Sequence, residues 1–248
     1  MSDVSAKIHY LYHSGFAVKT TEHFLVFDYY NDKPCPGKKG IDAGVITDQE
    51  IVNNTNPVVF VSHGHSDHYN PVILEWQKAN QNIRYIMSSD VPAKGERIHS
   101  LMPHEKLELS DMSVKAFGST DQGVSFLIAV DGISIFHAGD LNWWHWKDES
   151  TEEEIKASED DFIKEMRPII GKKIDIAFFP VDPRLGSEYY LGAERFINLI
   201  KPSMLIPMHF GDKYEAVADF ALRAQDCNTT VPMILRRGQV ILFRKHVE

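Results

Sequence analysis

"VVFVSHGHSDHYNP", residues 58–71, decides the reading of this chain. The run Val58–Val61 is short, apolar and β-branched, as an interior strand should be. It empties into a turn that holds His63, His65, Asp67 and His68 within six positions. Imidazoles and carboxylates are the ligands of zinc and other borderline first-row metals. His63 and His65 are two residues apart and can point the same way from an extended turn. Gly64, with no side chain, lets that turn tighten. Asp67 and His68 lie where the chain bends toward a helix expected over residues 70–80, with Asn70 as its cap and Pro71 in its first turn. One loop can thus serve two neighbouring metals, His63 and His65 on one, Asp67 and His68 on the other. A lone histidine in such a turn reads as structural. Four ligand-type residues straight after a buried strand read as a metal site.

Outward from this loop, most of the chain reads as strands. "KIHYLYHSGFAVKT" (7–20) and "HFLVFDYY" (23–30) form a pair, and "NDKPCPGKKG" (31–40) is a loop. "IRYIM" (83–87), "VKAFGS" (114–119), "GVSFLIAVDGISIFHAGD" (123–140) and "IDIAFFPVD" (174–182) supply more, with a hairpin at Asp131-Gly132. Residues 151–170 are acidic and helical, opened by a capping box from Thr151 to Glu154. A helix at 188–200, a strand at 203–210, a helix at about 213–225 and two strands, "PMIL" (232–235) and "QVILF" (239–243), follow. Two packed sheets with helices outside accommodate this order. The expectation is one domain over 1–248, with an acidic helical insertion at about 143–172.

The bulk numbers narrow the function. The 248 residues are 43% apolar and 25% charged, an ordinary soluble composition. A net charge of −9 argues against a nucleic-acid face. No run approaches a membrane span. Two cysteines make no disulfide framework, and the amino terminus reads as no signal peptide, so the expected setting is the cytoplasm. Twelve histidines are many for this length.

His-x-His-x-Asp-His after an apolar strand, here "HGHSDH", resembles the metallo-β-lactamase fold superfamily. "HSGF", "FDYY", the histidine loop, "HAGD" and "PMHF" stand in the order of its lactonase-like branch, that of L-ascorbate-6-phosphate lactonase. The resemblance implies an α/β fold, an αββα four-layer sandwich. It implies that Asp140 bridges two metals and that His209 completes a second site with Asp67, His68 and Asp140. The metal ligands would be His63, His65, Asp67, His68, Asp140 and His209, with Asp67 and Asp140 catalytic. The ion would be Zn2+, with Mn2+ or Fe2+ as alternatives, and one or two ions bound.

The first site departs from that pattern. Its third histidine is replaced by Gly118, Ser119 or Thr120, with Asp121 and His145 as candidate substitutes. His13 reads equally as a structural residue or a substrate contact, and Asp28 as a support of the ligand loop. His137 should turn away from the metals on the opposite pleat. The tryptophans of "NWWHW" either wall a pocket or anchor the acidic helix. Arg184 either pairs with a carboxylate or grips an anion.

A metal-dependent hydrolase is the implied activity, in which metal-activated hydroxide attacks a small ester, lactone or phosphodiester, anionic if Arg184 takes part. The alternative is a metal-binding module of the same fold without hydrolytic turnover. The expected partner is a small-molecule substrate, with no nucleic acid and no membrane. A di-iron redox site would need carboxylates in the first site, for which Asp121 is the one trace.

Overall fold

The computed structural model describes residues 4–245. Strands β1 (Val4–Tyr12), β2 (Gly15–Lys19), β3 (Phe24–Phe27), β4 (Pro57–Val61), β5 (Arg84–Ser88) and β6 (Ile98–Leu101) build the first sheet, and α1 (Asp48–Asn53) lies between β3 and β4. Strands β7 (Lys106–Glu108), β8 (Met112–Phe117), β9 (Ser125–Val130), β10 (Ile133–His137), β11 (Ile176–Pro180) and β12 (Met204–Met208) build the second. Helices α2 (Glu152–Met166), α3 (Leu191–Ile200) and α4 (Tyr214–Arg223) complete the chain with β13 (Val240–Lys245), which returns to the first sheet beside β1. The strand orders are β13-β1-β2-β3-β4-β5-β6 and β12-β11-β10-β9-β8-β7.

Each sheet is antiparallel on one side and parallel on the other. β3 to β6 run parallel, as do β10 to β12. Parallel strands need cover on both faces, and β4, β11 and β12 are buried at every residue. Phe16 meets Phe178 at 4.4 Å and Phe60 meets Phe126 at 5.6 Å, joining the sheets face to face. Phe162 and Met166 of α2 and Phe196 of α3 cover the outside of the second sheet. Ile51 of α1, with Ile73 and Trp76, covers the outside of the first. The result is the four-layer α/β sandwich expected. Among the described residues no helix is long and apolar enough to cross a membrane.

The β9–β10 hairpin turns on Asp131 and Gly132, with φ of 48° and 77°, the left-handed pair that a two-residue turn requires. Asp131 also reaches across the sandwich. Its carboxylate lies 3.1 Å from His23 Nδ1, while His23 Nε2 lies 3.0 Å from Asp111, which Arg84 grips bidentately. This network closes the end of the sandwich opposite the mouth where β3 delivers Asp28.

Two expectations change. The segment Pro71–Lys78 is a 3₁₀ helix, with Asn70 capping Val72 N–H as expected. Residues 232–235 form no strand. Met233 and Leu235 are exposed, Pro232 has no N–H to give a ladder, and only Thr230 bridges to Met204. The helix over α1 and the edge strands β6 and β7 were not anticipated.

His9 supplies a pH test away from the site. It is buried on β1, and burial first, then Lys7, lowers its pKa from 6.5 to about 4. A histidine with a depressed folded pKa takes up protons more readily when unfolded. Its stabilising contribution is therefore full above pH 6.5 and is lost as pH falls toward 4. That shift corresponds to about 3 kcal/mol. Urea unfolding from pH 7 to pH 4 should show a steeper loss in the native protein than in His9→Phe. Parallel curves would remove His9 from the acid limb.

Candidate metal centre

The site forms where the carboxyl ends of strands from both sheets open on one edge. β3 and β4 are parallel with Phe27 opposite Phe60, so Asp28 and Ser62 emerge side by side. Asp28 is buried, and its carboxylate accepts Ser62 N–H at 2.8 Å and Ser62 Oγ–H at 2.6 Å and pairs with His68 Nδ1 at 2.7 Å. His65 O accepts the N–H groups of His68 and Tyr69, which swings His68 back over the strand end. Asp90 accepts Gly64 N–H at 2.8 Å and Gln122 Nε2–H at 2.7 Å, tying the histidine loop to residues 119–123.

The second sheet brings Asp140 just past β10 and His209 just past β12. His209 Nδ1 lies 2.9 Å from Asp182, and its backbone N–H donates to His13 O. His13 sits in the β1–β2 turn with φ of 56°, a conformation uncommon outside glycine.

Two donor clusters result. His13, Asp67, His68 and His209 form one, and His63, His65 and Asp140 the other, with donor atoms in each within 4.8 Å of one another. Asp140 faces both. One carboxylate oxygen is 3.4 Å from His63 Nε2, and the other is 3.2 Å from His68 Nε2 and 3.3 Å from His209 Nε2.

These residues fit a metal by what they leave undone. The Nε2 atoms of His13, His63, His68 and His209 and one oxygen of Asp140 are buried without a hydrogen-bond partner. An orphaned buried polar atom costs about 1–3 kcal/mol, and here five point at common centres. The other ring nitrogens are occupied: His63 Nδ1 by Ser62 at 2.9 Å, His68 Nδ1 by Asp28, and His209 Nδ1 by Asp182. Such partners fix the ring and leave Nε2 for a cation.

The electrostatics agree. Burial opposes charge on His209, yet Asp140 and Asp182 outweigh it and push its pKa up to about 9. His68 is raised despite its burial by Asp140 and Asp28. Asp140 is held well below the carboxylate range, with His68 and His209 overriding burial. Burial, reinforced by His209, lowers His13 to about 4, and burial likewise lowers His63. Without a cation, protons supply the positive charge this carboxylate draws, and metal uptake must release them.

The six residues expected as ligands lie together, and His13 stands among them. His145 stays out, packed against Trp143 at 5.4 Å. Asp121 reaches the pocket rim but neither cluster. At Gly118 the carboxylate of Glu165, from α2, occupies the space where a Cβ would stand, so a side chain there would have to displace it. Thr120 instead bonds the Asp140 and Asn142 carbonyls. His137 turns away as expected, with Nε2 on Ser14 O. Trp144 and Trp146 line a pocket of about 450 Å³ with Asp67, Asp140, Arg184 and His209, whereas Trp143 packs on the core. The roles of Asp90 and Asp182 as struts escaped the sequence.

Gly123 holds the 119–123 loop against the histidine strand. Its φ is 79°, a Cβ there would collide with Ser62 O, and Val124 N–H donates to that same oxygen at 3.0 Å. Gly123→Ala should destabilise by roughly 2–4 kcal/mol, through backbone strain and the clash together. Thermal unfolding reads this, and a change under 1 kcal/mol would mean that the loop adapts freely.

Residues 7–158 match the model of the beta-lactamase superfamily domain. A UPF0173 metal-dependent hydrolase from Pyrococcus furiosus is 22% identical, covering 86% of this chain and 88% of that protein. One from Staphylothermus marinus is 24% identical over 96% and 99%. Among solved structures, Igni18, a metallo hydrolase from Ignicoccus hospitalis, superposes with a TM-score of 0.62 at 16% identity, covering 96% and 98%. CmlA, a diiron β-hydroxylase from Streptomyces venezuelae, gives 0.61 at 13%, covering 99% of this chain and 54% of that one.

Proposed function

The chain belongs to the beta-lactamase superfamily, and from that premise we propose that it is a metal-dependent hydrolase of a small ester, lactone or phosphodiester, in the lactonase-like branch. The observation that carries this reading is the convergence of buried, unpartnered Nε2 atoms on Asp140. Mixed nitrogen and oxygen donors favour zinc, with manganese or iron(II) as substitutes. His63, His65 and Asp140 would hold one ion, and Asp67, His68, His209 and His13 the other, with Asp140 shared. When bound, the metal lowers the pKa of its water from 15.7 to about 7 and polarises the scissile carbonyl or phosphoryl oxygen.

The side chains do the rest. Asp140 orients the site through its two oxygens. Asp67 is kept ionised well below its usual range by the His13 imidazole, 3.6 Å from its carboxylate, against the effect of burial. It is therefore a carboxylate at neutral pH, the form that can hold a cation and orient an attacking water. Asp28 and Asp182 fix the rings of His68 and His209. Trp144 donates its indole N–H to the Asp140 backbone carbonyl at 3.1 Å, which fixes the indole on the pocket wall.

Gently purified protein should contain up to two equivalents of zinc, manganese or iron. A chelator should abolish ester or phosphodiester hydrolysis, and the returned metal should restore it. Protein free of metal by elemental analysis, yet folded, would end this reading. A second reading, a metal-binding module without turnover, is favoured by the first cluster's having only three donors.

A further inference from the structure

The pocket contains one cationic side chain that no metal would claim, and it is held in place for a ligand. Arg184 donates from Nε to both oxygens of Asp182, at 3.0 and 2.9 Å, and from Nη2 at 2.6 Å. The same Asp182 pairs with His209 Nδ1 at 2.9 Å, and Arg184 Nη2 itself lies 3.3 Å from that nitrogen, so the guanidinium is fixed directly beside the metal donors. Nη1 has no hydrogen-bond partner among the described residues, and the side chain is 59% exposed while lining the pocket. A purely structural ion pair has no need to present its free end there.

Two parallel indoles line the pocket beside these groups. The rings of Trp144 and Trp146 are parallel within 8°, with centroids 6.2 Å apart. Trp144 stands 5.5 Å from His209, and the Arg184 Cζ lies 5.9 Å over Trp146. Trp144 is fixed by its bond to Asp140 O. Two indole faces at low conformational cost suit a ring or apolar body laid along them. With Asp67 and Asp140 committed to the metals, the remaining charges are the guanidinium and the exposed Asp121 at the rim.

We propose that Arg184 binds an oxyanion of the substrate, a carboxylate or phosphate distinct from the scissile group, while Trp144 and Trp146 support the body that carries it. This rests on the hydrolase reading for its scissile bond, but not for its anion site. Because Nε and Nη2 are already held, Nη1 offers two N–H donors with little left to order on binding.

The test titrates zinc-loaded protein with inorganic phosphate, followed by tryptophan fluorescence. Arg184→Ala should weaken phosphate at least tenfold while retaining the native zinc content, and Arg184→Lys should fall between. Unchanged affinity would overturn the proposal. Parallel loss of zinc would overturn it too, by assigning Arg184 to support of His209. In kcat/KM, mono-4-nitrophenyl succinate should be preferred over 4-nitrophenyl valerate, and the preference should vanish in Arg184→Ala. Absence of that preference in the native protein also overturns it. If neither ester is hydrolysed but phosphate binding still depends on Arg184, the anion site stands and the hydrolase reading alone fails.

Discussion

Asp140→Asn will lose hydrolysis by at least about a hundredfold while remaining folded. Residues that merely orient metal ligands cost 10–100-fold in affinity or activity when replaced, and Asp140 faces three imidazoles directly. Its two oxygens lie 3.2–3.4 Å from the Nε2 atoms of His63, His68 and His209. Asparagine keeps the shape and the backbone carbonyl that Trp144 and Thr120 use. It removes the charge that joins the clusters and substitutes an amide N–H₂ for one of the two facing oxygens. Turnover and metal content should be measured on the same preparation. An enzyme shows a collapse of turnover beyond its loss of metal. A module without catalysis shows falling affinity and no turnover to lose. Full activity in the variant would remove Asp140 from the chemistry.

Asp28→Ala will be the most destabilising change near the site, by about 3–5 kcal/mol, the cost of leaving a buried charged partner unpaired. Asp28 serves Ser62 N–H, Ser62 Oγ–H and His68 Nδ1 at once, and His137 Nδ1 stands 3.8 Å away. Its loss frees the His68 ring to rotate and strips the turn of its anchor. Metal affinity should fall 10–100-fold, and the melting temperature by roughly 6–20 °C for a chain of this size. Calorimetry with and without zinc separates the two effects. A variant of native stability that retains tight metal would show that the turn holds itself.

What the sequence disclosed follows the range of each interaction. The histidine loop is local, four donors on one short turn behind a strand, so its chemistry was legible. Asp140 and His209 carry no comparable local signal and were placed by the order of motifs. His13 stayed undecided because a single histidine in a turn looks the same whether it packs or ligates. Only the folded chain sets it against His209, with ring centroids 4.0 Å apart. Asp90 and Asp182 bond Gly64 and His209 across separations of 26 and 27 residues, and nothing near them marks that role. Glu165 in the space beside Gly118 is equally non-local. Among elements, the buried strands were clear from apolar runs. β6 and β7 were missed because both are exposed sheet edges with polar residues. α1 was missed although the Thr47–Glu50 capping box announced it.

The most direct test of a paired metal centre is an anomalous-scattering map from crystals, collected on both sides of the zinc, iron and manganese edges. Two peaks are expected, one among His63, His65 and Asp140 and one among His13, Asp67, His68 and His209, with Asp140 between them. A map with no peak in either cluster, in crystals of protein that hydrolyses its substrate, would contradict the metal chemistry argued above.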